Sequence, residues 1–181
     1  MREKTDPPES KTALSQGELP AENRTDYYEC PRHEVAELVS DKATRILDVG
    51  CGAGVLGEFL KNRQGAEVWG VEYCADAAER AAGRLDRIFS GSIEENLNRL
   101  PDEYFDTIIC ADVLEHLVDP GCVLSELKKK LAPGGELVAS IPNVRHWSVI
   151  WGLLEGHWQY RDAGLLDRTH LRFFTKESII Q

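Results

Sequence analysis

The chain has 181 residues, 42% of them hydrophobic, with 21 Lys and Arg against 31 Asp and Glu, a formal net charge of -10. That length suits one domain with a sizeable core. The acidic balance argues against a broad phosphate-binding surface, so no nucleic-acid partner is expected; Arg161, Arg168 and Arg172 are the candidates for a local basic groove.

Residues 1–26 are rich in Glu, Lys, Pro, Ser and Thr and poor in large apolar groups, which predicts a disordered segment ahead of a globular domain over residues 27–181. No apolar h-region or membrane-length apolar run is present in the sequence. The five cysteines, at 30, 51, 74, 110 and 122, form no C-x-x-C pair. Cys51, Cys74 and Cys110 lie in or beside apolar runs, which favours reduced thiols and a cytoplasmic location over a disulfide framework or a zinc site. Nothing in the sequence sets an oligomeric state.

In chain order, residues 33–39 read as a short leading helix and 45–49 as a buried strand ending at glycines. A helix over 55–63, a strand over 67–72 and an Ala-rich helix over 74–85 follow. Next come a weaker strand over 87–90, a short helix over 94–100 and a strong strand over 105–111. Pro120 opens a helix to Leu131 whose Lys128–Lys130 run suits the C-terminal dipole, and Pro133-Gly134-Gly135 turns into a fifth strand over 136–141. Alternating strands and helices predict a three-layer α/β fold with a mainly parallel sheet. Right-handed crossovers bring the strand C-termini to one edge, where ligands bind in such sheets. The chemistry-bearing residues 48–54, 72, 90–93, 111–116 and 142–143 fall on that edge.

The loop Leu47 to Gly54, LDVGCGAG, joins the first strand to the first long helix. Glycines permit positive φ and close ligand approach, and a helix N-terminus offers free N–H groups. Gly52, Gly54 and Gly57 also satisfy G-x-G-x-x-G, the dinucleotide fingerprint, with Glu72 closing the second strand as a ribose ligand in either reading. Asp48 favours a cationic methionine moiety over a pyrophosphate, which a carboxylate would repel. A Tyr-x-x-x-Lys pair, expected of a nicotinamide-dependent oxidoreductase, is absent from the sequence.

Four motifs in order, LDVGCGAG, VWGVEY, FDTIICADVLEHLVDP and LKKKLAPGGELVASIPN, resemble those of class I S-adenosylmethionine-dependent methyltransferases. The likeness runs from about residue 27 to the end. It implies a Rossmann-like methyltransferase fold with a seven-stranded sheet, so that this chain would lack the last strands, and S-adenosylmethionine as cofactor. On that likeness Asp48, Gly50, Cys51, Gly52 and Gly54 surround the methionine part, Glu72 holds the ribose, and Tyr73 lies against adenine. Ser92 and Ile93 stand where the family often has Asp and an apolar residue framing adenine, and Asp112 joins the cofactor contacts. The closing segment has Thr175 as N-cap of a further helix.

The acceptor is less constrained. Three of the four tryptophans, Trp147, Trp151 and Trp158, lie after Asn143 among Arg145, His146, His157, Tyr160 and the run 167–174, DRTHLRFF. Such a mixture suits a lid over a polar or ring-shaped substrate; equally, Trp147 and Trp151 could pack as the core of a helical hairpin. The segment is similar to bacterial methyltransferases found with sugar and polysaccharide enzymes and, more distantly, to quinone-pathway O-methyltransferases. Both imply an oxygen acceptor on a small molecule. Residues 141–160 also resemble a methyltransferase-like protein that acts through a partner enzyme. His116, His146 and His170 are the candidate bases, with His116 and His170 favoured as catalytic. A helix opening at Asp112 would align Asp112, Glu115 and His116 on one face, with His170 closing over them. That set is similar to the metal site of small-RNA 2′-O-methyltransferases and suits Mg, Mn or Zn; the reading without metal makes Glu115 and His116 contacts of cofactor and substrate.

Overall fold

The computed structural model describes residue 29 and residues 31–180. The expectation of disorder over residues 1–26 lies outside them. Among the described residues, five strands form one sheet: β1 (Arg45–Val49), β2 (Glu67–Glu72), β3 (Arg87–Ser90), β4 (Phe105–Ala111) and β5 (Leu131–Ser140). The order is β3-β2-β1-β4-β5 and every pairing is parallel. The order reverses at β1, so the crevice of the topological switch point opens beyond the ends of β1 and β4.

The strands alternate two-faced cores, as a period of two requires. Ile46, Val68, Ile109 and Val138 point to one side, onto Val35 and Ala36 of α1 (His33–Ala36), Leu56 and Leu60 of α2 (Val55–Gln64) and Ala81 of α3 (Ala75–Ala81). Leu47, Val49, Val71, Ile108 and Cys110 point to the other, onto Ile93 of α4 (Ile93–Asn96) and Val123 and Leu127 of α5 (Pro120–Lys130). This is the three-layer arrangement expected.

Local chemistry sets the helix ends. Gly65, at φ 70°, closes α2 and donates its N–H to Lys61 O at 2.8 Å. Asp119 caps α5 through the Cys122 N–H at 2.9 Å, with Pro120 in the first turn. Ser92 and Glu95 form a capping box on α4. Thr175 does the same with Ser178 on α7 (Lys176–Ile179).

Three elements depart from expectation, and one of the two readings of Trp147 and Trp151 falls. The Ala-rich helix ends at Ala81, two residues before Gly83, rather than at 85. Pro133-Gly134-Gly135 does not precede the fifth strand but lies inside it, as an irregularity in the β4–β5 pairing between Phe105 and Thr107. There a Cβ on Gly135 would lie 2.9 Å from Phe105 O, so the close backbone approach requires glycine. No helix opens at Asp112; it is left-handed, at φ 54°, and a 3-10 turn over Leu114–His116 follows. The tryptophans of α6 (Trp147–Leu154) are not core: Trp147 is 72% and Trp151 58% exposed.

Candidate functional site

The loop after β1 is held open by three left-handed glycines, Gly50 (φ 71°), Gly52 (φ 56°) and Gly54 (φ 81°). Gly50 and Cys51 both donate N–H to Val71 O, at 2.8 and 3.2 Å, which ties the loop to β2. A Cβ on Gly50 would stand 2.5 Å from Val113 Cγ2. The loop is thus pressed between β2 and the segment leaving β4, and only glycine meets both the space and the dihedral there. Burial pushes the Cys51 thiol far up, and the Cys110 thiol to about 12, so both are inert packing groups.

Glu72, 5% exposed at the end of β2, braces this loop. Its Oε2 accepts the Gly52 N–H at 2.8 Å and its Oε1 the Cys74 N–H at 2.8 Å. Burial raises its pKa, against the pull of those backbone bonds. Each oxygen keeps a lone pair, enough for two ribose hydroxyls. Asp48, 2% exposed beneath the loop, has an Oδ2 with no hydrogen-bond partner. Burial first, and then the Glu72 charge, push its pKa up to about 7, while Arg32 opposes them. A buried carboxylate left this way calls for a cationic ligand group.

The remaining cofactor candidates divide. Tyr73 is 66% exposed, its ring free beside Glu72. The Ser92 oxygen accepts the Glu95 N–H at 3.3 Å as the α4 cap, and Ile93 is buried in the core. Asp112 is engaged by its own chain: Arg32 Nη1 donates to Oδ2 at 2.6 Å and Ser140 Oγ to Oδ1 at 3.0 Å. Arg32 escaped sequence reasoning because it belongs to no motif and stands about 80 residues from its partner.

A second group forms on the same edge. One ligand atom each from Glu115, His116 and His170 lies within 4.8 Å of the others. Asp112, expected as a fourth member, is not among them, because its left-handed backbone and the Arg32 pair turn it away. The Glu115 backbone carbonyl accepts the N–H of Leu171 at 2.8 Å and of Arg172 at 3.0 Å, which straps the late segment onto the 3-10 turn. His170 Nδ1 lies 3.3 Å from Leu165 O and His116 Nδ1 3.3 Å from Thr169 O. His116 Nδ1 also lies 3.2 Å from Thr169 Oγ1, whose own proton goes to Asp167 Oδ1 at 2.7 Å; both neighbours of that Nδ1 can accept, so a neutral His116 protonated there, with its lone pair on Nε2, fits the contacts. His170 Nε2 stands 3.9 Å from Glu115 Oε1, and the two rings meet edge to face at 4.8 Å. Burial pushes Glu115 up to about 7; both its oxygens are buried without a hydrogen-bond partner. Burial, then the neighbouring His170, push His116 down, which keeps it neutral and able to accept a proton.

His146 lies elsewhere, capping α6 through Ser148. Of the basic-groove candidates, Arg168 pairs with Asp162 at 2.7 Å and Arg172 donates to Val118 O at 3.2 Å. Arg168 is thus ion-paired, whereas Arg172 is held by a neutral carbonyl and keeps its charge.

The methyltransferase-domain family matches residues 21–181. The chain belongs to that family, the class I S-adenosylmethionine-dependent methyltransferases. It is similar to the ubiquinone biosynthesis O-methyltransferase of Erwinia tasmaniensis, 36% identical over 107 residues, 55% of this chain and 42% of that protein. The enzyme of the same name from Psychrobacter cryohalolentis is 31% identical over 137 residues, 70% of this chain and 51% of that protein. The chain therefore spans about half the length of these curated relatives. Among solved structures, a methyltransferase from Archaeoglobus fulgidus superposes with TM-score 0.64 at 24% identity, over 87% of this chain and 66% of that one. One from Aquifex aeolicus gives 0.62 at 19%, over 90% and 85%. Both share the fold.

The methyltransferase edge fits its family's cofactor on the residues' own terms. Asp48 supplies the unpaired buried carboxylate an ammonium needs, the glycines clear the loop, and Glu72 has acceptor capacity to spare. Among the described residues no helix is long and apolar enough to cross a membrane.

Proposed function

We propose that this domain transfers a methyl group to an oxygen of a small polar acceptor, with a quinone-like or sugar hydroxyl as the acceptor class. The supporting observation is the neighbourhood of two groups on one sheet edge: the Asp48–Glu72 carboxylates under the glycine loop, and the Glu115–His116–His170 cluster one turn beyond β4. The quinone-like class draws support from the relatives named for ubiquinone biosynthesis.

In this reading Asp48 holds the methionine ammonium, Glu72 the ribose hydroxyls, and Tyr73 covers the adenine. The bound cofactor supplies an electrophilic methyl on a sulfonium. The protein supplies orientation, exclusion of water and a proton acceptor, most of what an in-line displacement needs. Neutral His116, with its Nε2 lone pair, takes the acceptor proton; His170 flanks it. Turnover of methyl-labelled S-adenosylmethionine against ring hydroxyls and sugars tests this. Label appearing on a hydroxyl acceptor, and falling about a hundredfold in His116→Ala, is the expected result. Cofactor binding with no transfer to any acceptor would replace it with a cofactor-binding partner protein.

One observation favours a metal-assisted version. Glu115, His116 and His170 offer a carboxylate and two imidazole nitrogens within 4.8 Å of one another, mostly buried. That donor set suits a divalent cation of the Mn or Zn type, which would lower the pKa of an acceptor hydroxyl. Loss of transfer in chelator, its return with Mn²⁺ and a weaker metal response in His170→Ala are expected on this version. Full activity in excess chelator rejects it and leaves His116 as the base.

A further inference from the structure

Arg32 precedes α1 in the left-handed region, at φ 43°. Its guanidinium closes a polar ring across three segments. Nη1 donates to Asp112 Oδ2 at 2.6 Å and Nη2 to Ser140 Oγ at 3.1 Å. Ser140 Oγ donates to Asp112 Oδ1 at 3.0 Å, and the Asp112 N–H donates to Ser140 O at 2.9 Å. The segment before α1, the end of β4 and the end of β5 are thereby joined through one residue, Asp112.

Asp112 has φ 54°, a conformation rarely adopted outside glycine, and it persists where surrounding contacts over-determine it. Its backbone sets the direction in which the chain leaves β4. The next residue, Val113, is the one whose methyl occupies the space a Cβ on Gly50 would need. Two and three residues later come Glu115 and His116 of the acceptor-side cluster. Whatever holds Asp112 therefore sets both halves of the site. Arg32 is also the cation that eases ionisation of Asp48.

We propose that Arg32 is a positioning residue for methyl transfer: its clasp on Asp112 and Ser140 fixes the left-handed turn that seats Val113 against the cofactor loop and Glu115 with His116 at the acceptor edge. The inference rests on reading the 47–54 loop as the cofactor site. An ordinary ion pair between half-exposed side chains would add a little stability and nothing more. The bidentate fork distinguishes the two, because lysine can supply the charge but cannot grip Asp112 and Ser140 together.

The test uses the full chain labelled with ¹⁵N at histidine. In Arg32→Gln, the ring signals of His116 and His170 should move while those of His157 stay in place. Calorimetry with S-adenosylmethionine should show about fivefold weaker binding, the scale of one lost charged contact near a site. Arg32→Lys should lie between native and Gln in both readouts. Ser140→Ala, which breaks the ring but keeps the ion pair, should move the same two histidines by less. A folded Arg32→Gln whose His116 and His170 signals match the native protein would overturn the proposal, as would a Lys variant no nearer to native than Gln. If Arg32→Gln does not fold, unmoved histidines in Ser140→Ala overturn it instead. A native chain that binds no S-adenosylmethionine would refute the cofactor reading, while the histidine signals would still judge the clasp.

Discussion

Asp48, the proposed ammonium ligand, shows what such a residue costs the fold. Its carboxyl is buried beside Glu72, and its pKa is raised to about 7, against about 3.9 in an unfolded chain. The folded state then binds more protons than the unfolded one between those values, so the cost is absent below about pH 4 and complete above about 7. Asp48→Asn should therefore stabilise the ligand-free chain by about 1–3 kcal/mol at pH 8, with the gain fading toward pH 4. Urea titrations at the two pH values measure it. In the proposed role Asp48 must be ionised to hold the ammonium, so native affinity should be about eightfold weaker at pH 6 than at pH 7.5. Asp48→Asn should bind weakly at both. A native affinity that is flat across this range would refute the assigned role. The placement of Asp48, the glycines and Glu72 at one sheet edge was legible because it is local: a strand end, a turn requiring positive φ, an acid closing the next strand. Sequence reasoning did not reach Asp112's true partner, because Arg32 meets it through the fold alone.

At the scale of elements, the N-terminal ends of β1 and β4 are joined by a carboxylate on the far side of the sheet from the site. Asp106 Oδ2 accepts from Thr44 N, Thr44 Oγ1 and Arg45 N at 2.8, 2.6 and 2.9 Å, and Oδ1 accepts from Arg45 Nη2 at 3.2 Å. Burial alone would raise its pKa; the Thr44 and Arg45 donors outweigh it and hold it at about 2. Its folded value lies below the unfolded one, so its stabilisation is full above about pH 4 and is lost as pH falls toward 2. Asp106→Asn should cost about 1–2 kcal/mol at pH 7, discounted for partial exposure, and almost nothing at pH 2. An equal loss at both pH values would contradict the charge-based account. The α6 helix makes the opposite case. Trp147 and Trp151 share a helix face, yet both project outward, so Trp147→Ser with Trp151→Ser should change stability by less than about 0.5 kcal/mol per site. A loss of several kcal/mol would restore the hairpin-core reading. The four-residue spacing of Trp147 and Trp151 allowed a helical hairpin there but could not tell a buried apolar face from an exposed one. The 3-10 turn after β4 was hidden for a similar reason, since D-V-L-E-H has helical spacing and only the Arg32 pair and the left-handed Asp112 reveal that no helix starts there.

Across the whole molecule, the parallel sheet sorts function by strand end. The N-terminal ends carry Asp106 and its donors, a structural clasp. The C-terminal ends and the segments leaving them carry Asp48, Glu72, Asp112 and Glu115, and Arg32 acts on three of these, Asp48, Asp112 and Glu115. The overall fold was legible because strand–helix alternation and right-handed crossovers leave few topologies. The segment after β5 was legible mainly in composition, since contacts distant in sequence, such as the Leu171 and Arg172 N–H groups on Glu115 O, place it. The crevice at this end is proposed to bind S-adenosylmethionine through the Asp48–Glu72 edge. The direct measurement is calorimetric titration of the native chain and of Glu72→Ala with that cofactor. One site per chain is predicted, weakened tenfold or more in Glu72→Ala, because both the ribose acceptor and the brace on Gly52 N–H are lost, about 1.4 kcal/mol or more. A native chain that releases no binding heat, or a Glu72→Ala affinity equal to native, would contradict the account.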